Sequence, residues 1–415
     1  MADEVLITAG ELPGIQVLRL VEDGRRHNMR VTVLPSYEQI LHGSVSMSPR
    51  DVSIEDLLRR DPVQLEQTKL HGWLDGRVLL VSGSAGSIGS EICRQLLQFN
   101  PKKMVLVDRS ETGQFFLERE LQELIQKSKI ELCIGDITDT ARMESIFKTH
   151  RPEIVFHAAA YKHVPMMESN VGEAVKNITL ATRRLADLAN QFDVSSFVMI
   201  STDKAVNPTS VMGASKRIAE IYIQAMADQS ACRFVTVRFG NVLDSAGSVV
   251  PIFREQIARG GPVQVTHPDM MRYFMTIPEA SQLVIQAGAM GQGGEIFVLD
   301  MGEPIRIVDL ASDMIRLSGL RVGKDIEIEY TGMRPGEKLY EELHSKNEQR
   351  TKTTHPKIMV ADCEKHQFDQ ILSAVERLES IVDFSDEQIM NEIVRIVPEY
   401  QPLQAAERSR SRQAA

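Results

Sequence analysis

The chain reads, from Gly76 to Ser110, GRVLLVSGSAGSIGSEICRQLLQFNPKKMVLVDRS. The apolar run at 78–81 predicts a buried strand, and the glycines after it open a helix. A second apolar run ends at Asp108, nineteen residues after Gly89. A strand, a glycine-rich turn, a helix, a second strand and an acid in this order are typical of a βαβ unit that binds a dinucleotide.

The glycine-rich turn is the candidate phosphate site. Glycines allow the backbone to approach a pyrophosphate, and the amino end of a helix supplies N–H donors with a partial positive charge. We therefore expect the cofactor to bind Gly83, Ser84, Gly86, Ser87, Ile88 and Gly89. Asp108 is expected to bind the adenosine ribose, and its charge favours NAD over NADP, although Arg109 and Ser110 are placed to hold the additional phosphate.

Four further short apolar runs follow the βαβ unit, at 130–133, 154–156, 197–200 and 234–237. They alternate with amphipathic stretches, the clearest of which runs from 171 to 188 with a helical period. Six strands separated by helices predict an α/β fold with a doubly wound parallel sheet.

The carboxyl ends of these strands carry small and polar residues. Open parallel sheets bind their ligands at this edge. After the third and fourth strands, the expected cofactor-binding residues are Asp136, Ile137, Ala158, Ala159 and Ala160. The fifth strand ends in Thr202, Asp203 and Lys204, which offer a hydroxyl, a carboxylate and an amine as candidate catalytic groups.

Other regions flank the predicted sheet. The amino-terminal part reads strand (5–7), helix (15–23), strand (29–33) and helix (37–41), which is a βαβ extension too small to bury its own faces. Either it packs on the main domain or it is the tail of a larger domain. The predicted boundaries are 1–70 for this extension and its linker, 71–240 for the Rossmann domain, 241–345 for a substrate cap interleaved with the core, 346–400 for a helical region and 401–415 for a disordered tail.

The composition excludes several classes of function. The chain has 415 residues, and its net charge of −10 argues against a nucleic-acid-binding protein. Since no apolar run approaches the ~20 residues of a transmembrane helix and the acidic start is unlike a signal peptide, we expect a cytoplasmic protein without a membrane span. The four cysteines are scattered, which favours neither disulfides nor a metal site and predicts buried thiols.

A helix-spaced pair follows the fifth strand. Met212 and Lys216 are four residues apart and therefore share one face of a helix. In short-chain dehydrogenases this pair is Tyr and Lys, and the Lys lowers the pKa of the phenol that acts as a base. Because a thioether carries no proton, either the chemistry has moved to Thr202, Asp203 and Lys204 or the site is catalytically dead.

Seven motifs resemble those of the extended short-chain dehydrogenases/reductases, and within them the polysaccharide-biosynthesis family of UDP-N-acetylglucosamine 4,6-dehydratases. They are GSAGSIG (83–89), HAAAYKHVP (157–165), STDKAVNPT (201–209), MGASKR (212–217), RFGNVL (238–243), RYFMT (272–276) and RPGEK (334–338). The resemblance covers roughly residues 50–345 and implies a soluble, shortened relative of membrane-anchored members. In this family Met is a variant of the Tyr position, which favours an active enzyme.

The resemblance implies that NAD-dependent loss of water from UDP-N-acetylglucosamine gives a UDP-4-keto-6-deoxy-hexosamine for surface polysaccharide. It assigns the proton transfers to Thr202, Asp203 and Lys204, with Met212 and Lys216 at the redox centre. Further cofactor contacts are implied for Lys162, Asn177, Ser201, Lys216 and Phe239. Substrate contacts are implied for Lys162, His163, Asn241, Arg272, Arg334 and Glu337. A homo-oligomer is also implied.

Two alternatives stay open. A UDP-sugar 4-epimerase on the same fold needs only reversible oxidation at carbon 4, so it leaves Asp203 and Lys204 without a task beyond a simple salt bridge. A non-catalytic cofactor-binding module is suggested by Met212 and by the partial amino-terminal domain. The Asp244-Ser245-Ala246 loop departs from the family pattern, and this departure bears on how a substrate fits.

Overall fold

The structure is a computed structural model that describes residues 4–8, 12, 14–27, 29–34, 49–58, 60, 63–122, 129–344 and 348–402. The chain divides into two compact units. Unit 1 comprises 1–63, 241–276 and 301–333, and unit 2 comprises 64–240, 277–300 and 334–415. The predicted helix at 37–41 lies outside the described residues, as does the predicted tail from residue 403 onward.

Strands and helices alternate through most of the described chain. The strands are β1 (Glu4–Ile7), β2 (Arg30–Val33), β3 (Arg50–Asp51), β4 (Val78–Ser82), β5 (Lys103–Asp108), β6 (Lys129–Ile134), β7 (Ile154–His157), β8 (Ser196–Thr202), β9 (Arg233–Phe239), β10 (Asn241–Val242), β11 (Val263–Val265), β12 (Met271–Arg272), β13 (Phe274–Met275), β14 (Ile296–Leu299), β15 (Ile305–Arg306), β16 (Ile328–Tyr330), β17 (Gln349–Lys352) and β18 (Ile358–Asp362). The helices are α1 (Gly14–Arg26), α2 (Glu55–Leu58), α3 (Gln67–Leu74), α4 (Ser87–Leu97), α5 (Glu111–Gln122), α6 (Thr140–His150), α7 (Val164–Glu168), α8 (Val171–Ala174), α9 (Ala181–Gln191), α10 (Val211–Ala227), α11 (Val249–Ala258), α12 (Ile277–Met290), α13 (Ile307–Leu317), α14 (Phe368–Ser380) and α15 (Asp386–Ile396). A π-helical turn (Val175–Leu180) joins α8 to α9, and a 3₁₀ turn (Asp203–Ala205) follows β8.

The sheet of unit 2 determines where a ligand binds. Among the described strands, nine form this sheet in the order β17-β18-β14-β9-β8-β7-β4-β5-β6. The strands from β4 to β9, together with β14, run parallel, and the chain order reverses between β4 and β7. The predicted α/β fold with a doubly wound parallel sheet is confirmed. The reversal in such a sheet opens a crevice at the carboxyl ends of the strands.

The second half of the chain differs from the predicted boundaries. The stretch 277–300, assigned to the cap, belongs to unit 2 because β14 pairs with β9 and extends the parallel sheet. The stretch 346–400, predicted as helical, also contains β17 and β18, which add two antiparallel strands at the same edge. β17 contains only polar residues, so no apolar run marks it, and the pairing of β18 with β14 is a contact between distant segments.

Helices cover both faces of the sheet. α4 packs on α12, and α12 packs on α3. α10 contacts β8 and β9 as well as α9, α14 and α15, which is why it is buried along almost its whole length. None of the described helices combines the length and the apolar character needed to cross a bilayer.

Unit 1 is built from short strands around a small core. β1 and β2 are parallel, β3 is antiparallel to β2, and the core of this sheet contains Ile7, Val17 and Val33. β1, α1 and β2 therefore form a parallel βαβ unit at the amino end of the described chain. Arg25 of α1 donates hydrogen bonds to the carbonyl oxygens of Arg316 and Leu317 at the end of α13. A cation at this position satisfies carbonyl groups that lack partners within their own helix.

Candidate active site

The glycine-rich turn lies at the reversal of strand order, between the carboxyl ends of β4 and β7. Gly83 has φ of 72°, and a Cβ there would lie 2.6 Å from the backbone nitrogen of Ala159. A Cβ at Gly89 would lie 2.0 Å from the carbonyl oxygen of Gly83. Both positions therefore require glycine, since any side chain would separate the turn from the β7 loop or from α4.

Asp108 is fixed in place by two backbone groups. Its Oδ2 accepts a hydrogen bond from the backbone N–H of Ala85 at 3.0 Å, and its Oδ1 accepts one from Ser110 at 2.9 Å. The first bond ties the end of β5 to the glycine-rich turn. The carboxylate retains lone pairs for ribose hydroxyls, because an ionised carboxylate accepts up to about four hydrogen bonds.

Arg109 turns across the crevice toward Tyr161. Its Nη1 donates to Tyr161 Oη at 2.7 Å, and its guanidinium carbon lies 4.8 Å from the centre of the Tyr161 ring. The same Nη1 lies 3.4 Å from Asp136 Oδ2. Partial burial raises the pKa of Asp136, but hydrogen bonds from Thr138 and Arg109 outweigh it and hold the pKa below its ordinary value.

The floor of the crevice is made of small residues held by the π-helical turn. Ala158, Ala159 and Ala160 line it, and the backbone N–H of Tyr161 donates to Asn177 Oδ1 at 2.8 Å. Asn177 is buried on the π-helical turn. Such turns are frequent at functional sites because they redirect a side chain without ending the helix.

Ten of the predicted cofactor-binding residues line this crevice. They are Gly83, Gly86, Asp108, Arg109, Asp136, Ile137, Ala158, Ala159, Ala160 and Asn177. Three other lining residues are not among the predicted cofactor-binding residues: Val107, Gly135 and Tyr161. Tyr161 was available as an aromatic residue within the HAAAYKHVP motif, but its contact with Arg109 crosses β4 and leaves no trace in local sequence.

The remaining predicted cofactor residues lie outside the lining of the crevice. They are Ser84, Ser87, Ile88, Gly89, Ser110, Lys162, Ser201, Lys216 and Phe239. The Ser201 hydroxyl donates to Glu220 Oε1 at 2.6 Å, so this side chain belongs to a buried ionic cluster. In that cluster Glu220 also binds Arg238 through 2.6 and 2.7 Å hydrogen bonds. Lys216 and Phe239 are buried.

Thr202, Asp203 and Lys204 meet at a single carboxylate oxygen. Thr202 Oγ1 donates to Asp203 Oδ1 at 2.9 Å, and Lys204 Nζ lies 2.9 Å from the same atom. The Asp203 side chain is fully buried, and within the described residues its second oxygen, Oδ2, has no hydrogen-bond partner. A buried carboxylate oxygen without a partner is costly, and such an atom is typical of a site that completes its hydrogen bonds with a ligand.

Helix α10, which carries Met212 and Lys216, packs against the 3₁₀ turn of this triplet. A Cβ at Gly213 would lie 2.1 Å from the carbonyl oxygen of Lys204, so the glycine permits direct contact between the helix and the 3₁₀ turn. Ser210 caps the helix by accepting a hydrogen bond from the N–H of Gly213 at 3.1 Å. Met212 is buried in the apolar core, as a thioether side chain permits.

Lys216 and His157 lie deep in unit 2. Burial lowers the pKa of Lys216 to about 8, and the charge of Glu220 opposes this effect. Burial and the Lys216 cation together hold the pKa of His157 well below its ordinary value. His157 is therefore neutral and uses both ring nitrogens, at 2.7 Å from Ser82 Oγ and 3.0 Å from Thr182 Oγ1.

The cationic group of unit 2 consists of Lys162 and Arg334, with His163 beside them. Partial burial lowers the pKa of His163, and the charges of Lys162 and Arg334 lower it further. Arg334 donates to Glu337 Oε1 at 2.6 and 3.0 Å. Glu337 therefore orients Arg334 in this structure.

Two hydrogen bonds connect the RPGEK motif to the loop after β8. Thr209 Oγ1 donates to the carbonyl oxygen of Gly336 at 3.2 Å, and Lys338 Nζ donates to that of Val206 at 3.0 Å. These bonds join two of the motifs on which the resemblance depends. The other two predicted substrate residues, Asn241 in β10 and Arg272 in β12, belong to unit 1, where Arg272 is buried and donates to the carbonyl oxygen of Met271.

The crevice has the chemistry that a nicotinamide dinucleotide requires. Gly86 is the residue before α4, and within the described chain no side chain caps the amino end of this helix. An uncapped helix end beside a glycine turn accommodates a phosphate. Asp108 supplies ribose acceptors, and the alanines after β7 leave room for a flat ring. The residues present therefore fit the group.

Comparison with known proteins places these features in a family. The sequence matches the family described as polysaccharide biosynthesis protein over residues 79–363. It is 49% identical over 361 residues to the capsular polysaccharide biosynthesis protein CapD of Staphylococcus aureus, a match that covers 86% of this chain and 60% of CapD. The chain thus spans about 60% of the length of this relative.

More distant relatives carry two different enzyme names. The chain is 30% identical over 279 residues to a UDP-N-acetylglucosamine 4,6-dehydratase (inverting) of Campylobacter jejuni, covering 66% of this chain and 79% of that protein. It is 32% identical over 279 residues to a UDP-glucose 4-epimerase of Rickettsia rickettsii, with the same coverage of 66% and 79%.

A solved structure agrees in both sequence and fold. The structure of Pen from Bacillus thuringiensis matches with a TM-score of 0.64 at 34% identity, covering 69% of this chain and 89% of Pen. The motifs, the sheet order and these similarities agree. The chain belongs to the polysaccharide biosynthesis protein family and has the fold of the extended short-chain dehydrogenases/reductases.

Proposed function

We propose that the chain is a nicotinamide-dependent UDP-N-acetylglucosamine 4,6-dehydratase that makes a UDP-4-keto-6-deoxy-hexosamine for surface polysaccharide. The observation that carries this proposal is the arrangement around Asp203. Elimination of water needs an acid and a base in addition to hydride transfer, and Thr202, Asp203 and Lys204 are joined through one carboxylate oxygen at the carboxyl edge of the sheet.

The dinucleotide is assigned to the crevice beside the glycine-rich turn. A nicotinamide bound there would supply the hydride chemistry, as acceptor from carbon 4 of the sugar and as donor to carbon 6. Gly83, Gly86 and Gly89 would hold the pyrophosphate at the end of α4, and Asp108 would accept from the ribose hydroxyls, which favours NAD. Lys216, which is buried on α10, would hold the nicotinamide ribose.

The proton transfers of the reaction are assigned to Thr202, Asp203 and Lys204. Oxidation at carbon 4 acidifies the proton on carbon 5, which Lys204 removes. Asp203 gives a proton to the hydroxyl that leaves carbon 6, so that water departs. Because oxidation adds the 4-hydroxyl proton to this pair, the reactive form holds Lys204 as the neutral amine beside the ionised Asp203, one proton fewer than the ion pair in the observed contact.

Thr202 relays the proton that the 4-hydroxyl of the sugar releases. Its hydroxyl donates to Asp203 Oδ1 at 2.9 Å, so the proton released from the 4-hydroxyl passes through Thr202 to the ionised Asp203 and becomes the proton that Asp203 later gives to the leaving hydroxyl. Lys204 then returns its proton to carbon 5. The chain ends the cycle as it began, and the products are one keto sugar and one water. Met212 takes no part in proton transfer because a thioether carries no proton.

The cationic group of unit 2 is assigned to the substrate diphosphate. Lys162 and Arg334 supply positive charge in a chain whose net charge is −10, and His163 lies beside them as a neutral hydrogen-bonding group. Glu337 orients Arg334 for this contact. Asn241 and Arg272 remain predictions from their motifs as sugar and phosphate contacts.

A UDP-sugar 4-epimerase is the second candidate, and the relative of that name from Rickettsia rickettsii supports it. This reaction gives Asp203 and Lys204 no proton to transfer and normally uses the tyrosine that Met212 replaces. The dehydratase therefore accounts for more of the site. A non-catalytic cofactor-binding module is the third candidate, and an activity assay distinguishes it from the two enzymes.

The test is incubation of the purified chain with UDP-N-acetylglucosamine in deuterated water, followed by proton NMR and mass spectrometry. Loss of one water, a new methyl signal and deuterium at carbon 5 are expected. Conversion to the galacto isomer without loss of water would replace the proposal by the epimerase. Bound NAD with an unchanged sugar would favour the non-catalytic module.

Two variants locate the chemistry. Asp203→Asn and Lys204→Met are each expected to reduce turnover at least 10²-fold, since each removes a group that moves a proton, while the affinity for NAD changes less than about threefold. Asp325→Asn, which breaks an exposed ion pair with Arg321, is the matched control and should retain full turnover. Equal activity of all three variants would contradict the assigned roles.

A further inference from the structure

Arg109 spans the crevice from one side to the other. It directly follows β5, whereas Tyr161 follows β7, and β4 lies between these two strands in the sheet. The 2.7 Å hydrogen bond between Arg109 Nη1 and Tyr161 Oη therefore passes over the end of β4, where the glycine-rich turn begins. We call Arg109, Tyr161 and Asp136 together the Arg109 bridge.

Asp136 and Tyr161, the two partners of Arg109 in the bridge, are held in place by further hydrogen bonds. Asp136 Oδ1 accepts from the backbone N–H and the hydroxyl of Thr138, at 2.9 and 2.8 Å, which leaves Oδ2 directed to Arg109. The backbone of Tyr161 is tied to Asn177 on the buried π-helical turn. Arg109 itself is 52% exposed in its side chain, so it is the member of the bridge that is free to change its position.

The Arg109 bridge lies beside the carboxylate that selects the ribose. Asp108 precedes Arg109, and its two oxygens are oriented by the N–H groups of Ala85 and Ser110. A phosphate on the adenosine 2′-oxygen meets the negative charge of Asp108. It gains a cation only if the Arg109 guanidinium leaves the Tyr161 hydroxyl, the Tyr161 ring and the Asp136 carboxylate.

We infer that Tyr161 and Asp136 sequester Arg109 and thereby set the preference of the crevice against a dinucleotide with a 2′-phosphate. The inference rests on the proposed function, because the crevice must bind a nicotinamide dinucleotide. NAD leaves the bridge intact, since Asp108 alone serves its ribose. NADP must break the bridge to obtain its charge-assisted hydrogen bonds. Tyr161 and Asp136 are thus specificity-determining residues that act through Arg109.

The test measures the dissociation constants of NAD and NADP separately, by calorimetry on the full chain. Tyr161→Phe removes the hydroxyl but keeps the ring, so it is expected to lower the NADP dissociation constant about threefold to tenfold, as the loss of one competing hydrogen bond implies. The NAD constant should stay within about twofold. Asp136→Asn removes the competing charge and should shift the ratio in the same direction.

A double variant shows whether the effect passes through Arg109. In Tyr161→Phe combined with Arg109→Gln, the gain in NADP affinity should disappear, because no guanidinium remains to bind the phosphate. Tyr340→Phe is the matched control: Tyr340 is an exposed tyrosine outside the bridge, and its variant should leave both constants unchanged. Thermal unfolding of each variant confirms that it is folded, and if Tyr161→Phe does not fold, Asp136→Asn decides the question.

The outcomes separate this inference from the proposed function. An unchanged ratio in Tyr161→Phe and Asp136→Asn, or a gain that survives Arg109→Gln, overturns the role of the bridge. An equal loss of affinity for both dinucleotides in Tyr161→Phe also overturns it, because Tyr161 would then be a platform for the adenine. If NAD binds with no turnover of sugar, the inference stands while the dehydratase fails. If the wild-type chain binds neither dinucleotide, both fail.

Discussion

Lys216 has an ammonium group that has been removed from water. Its residue is 6% exposed, and burial lowers its pKa from 10.5 to about 8 against the opposing charge of Glu220. Because the unfolded chain keeps the ordinary pKa, it binds more protons than the folded chain between pH 8 and pH 10.5. Stability therefore rises with pH through this window, and the penalty is fully present below pH 8.

Replacing this lysine should remove that dependence. Urea unfolding is expected to give Lys216→Met a higher free energy of unfolding than the wild-type chain at pH 7. This difference in free energy should shrink by about 3 kcal/mol between pH 7 and pH 10.5. Lys365→Met is the control, since Lys365 is 70% exposed and its variant should follow the wild-type curve. Parallel curves for wild type and Lys216→Met would contradict the burial effect.

The sequence predicted single residues well where the role depends on the residue's own strand or turn. Gly83 and Asp108 follow β4 and end β5, so their place in the crevice follows from strand order alone. Ser201 and Tyr161 show the limit of this reasoning. The Ser201 hydroxyl is bound to Glu220 of α10, and Tyr161 acquires its role from Arg109 across another strand. Contacts between distant segments have no local sequence signal.

At the scale of elements, the contact between α10 and the 3₁₀ turn after β8 depends on one missing side chain. Gly213 lies in the first turn of α10 against the carbonyl group of Lys204. In an exposed helix, replacement of glycine by alanine stabilises the protein by roughly 0.5–1 kcal/mol. At Gly213 the same change must displace the 3₁₀ turn Asp203–Ala205, so the loss of packing outweighs the gain in helix propensity.

A pair of identical substitutions tests this. Gly213→Ala is expected to lower turnover at least tenfold and to lower the free energy of unfolding by about 1–3 kcal/mol. Gly72→Ala is the control: Gly72 lies in α3, and a Cβ there would meet no atom within 4 Å. That variant should be slightly stabilised with unchanged turnover. The same result for both variants would show that the helix, rather than the contact, determines the effect.

The helix predicted from 171 to 188 illustrates how far periodicity goes. The apolar period located the element and its buried face, and α8 and α9 occupy this range. Between them the π-helical turn holds six residues that an α-helical period describes equally well. The turn is stabilised by its surroundings, where Asn177 accepts a bond from Tyr161, so periodicity alone does not distinguish it.

At the scale of the whole molecule, the carboxyl-terminal helices complete the core of unit 2. Apolar side chains of α14 and α15 belong to the same core cluster as those of α9 and α10; they include Ile371, Val375, Leu378, Ile389 and Ile393. Arg183 and Arg184 of α9 also pair with Glu379 of α14. Each buried aliphatic side chain contributes about 1.5–3 kcal/mol, so the contribution of these five is comparable to the net stability of a typical domain, about 5–15 kcal/mol.

Two shortened chains test this dependence. A chain that ends at Cys363 is expected to lose its cooperative thermal transition and to bind a hydrophobic dye, because the apolar face of α10 becomes exposed. A chain that ends at Pro402 lacks the segment predicted from composition to be disordered, and it should unfold like the full chain. A cooperative transition in the shorter chain would show that α10 does not need this cover.

The sequence predicted the architecture because alternating strand and helix signals repeat over long stretches. It failed where elements lie far from their partners or lack an apolar run. β14 and β18 join the sheet through neighbours that are not adjacent in sequence, and β17 contains only polar residues. The division into two units, each made from three stretches, follows from these distant pairings.

The hairpin of β17 and β18 also covers an edge of the large sheet that would otherwise be open. Without it β14, an apolar strand of four buried residues, would expose a row of unpaired backbone groups to other chains. The strand at this edge is instead β17, whose four residues are all exposed and include Arg350 and Lys352. A short, charged edge strand is a poor template for another molecule. The hairpin therefore guards against edge-to-edge aggregation at the high concentrations of a cell.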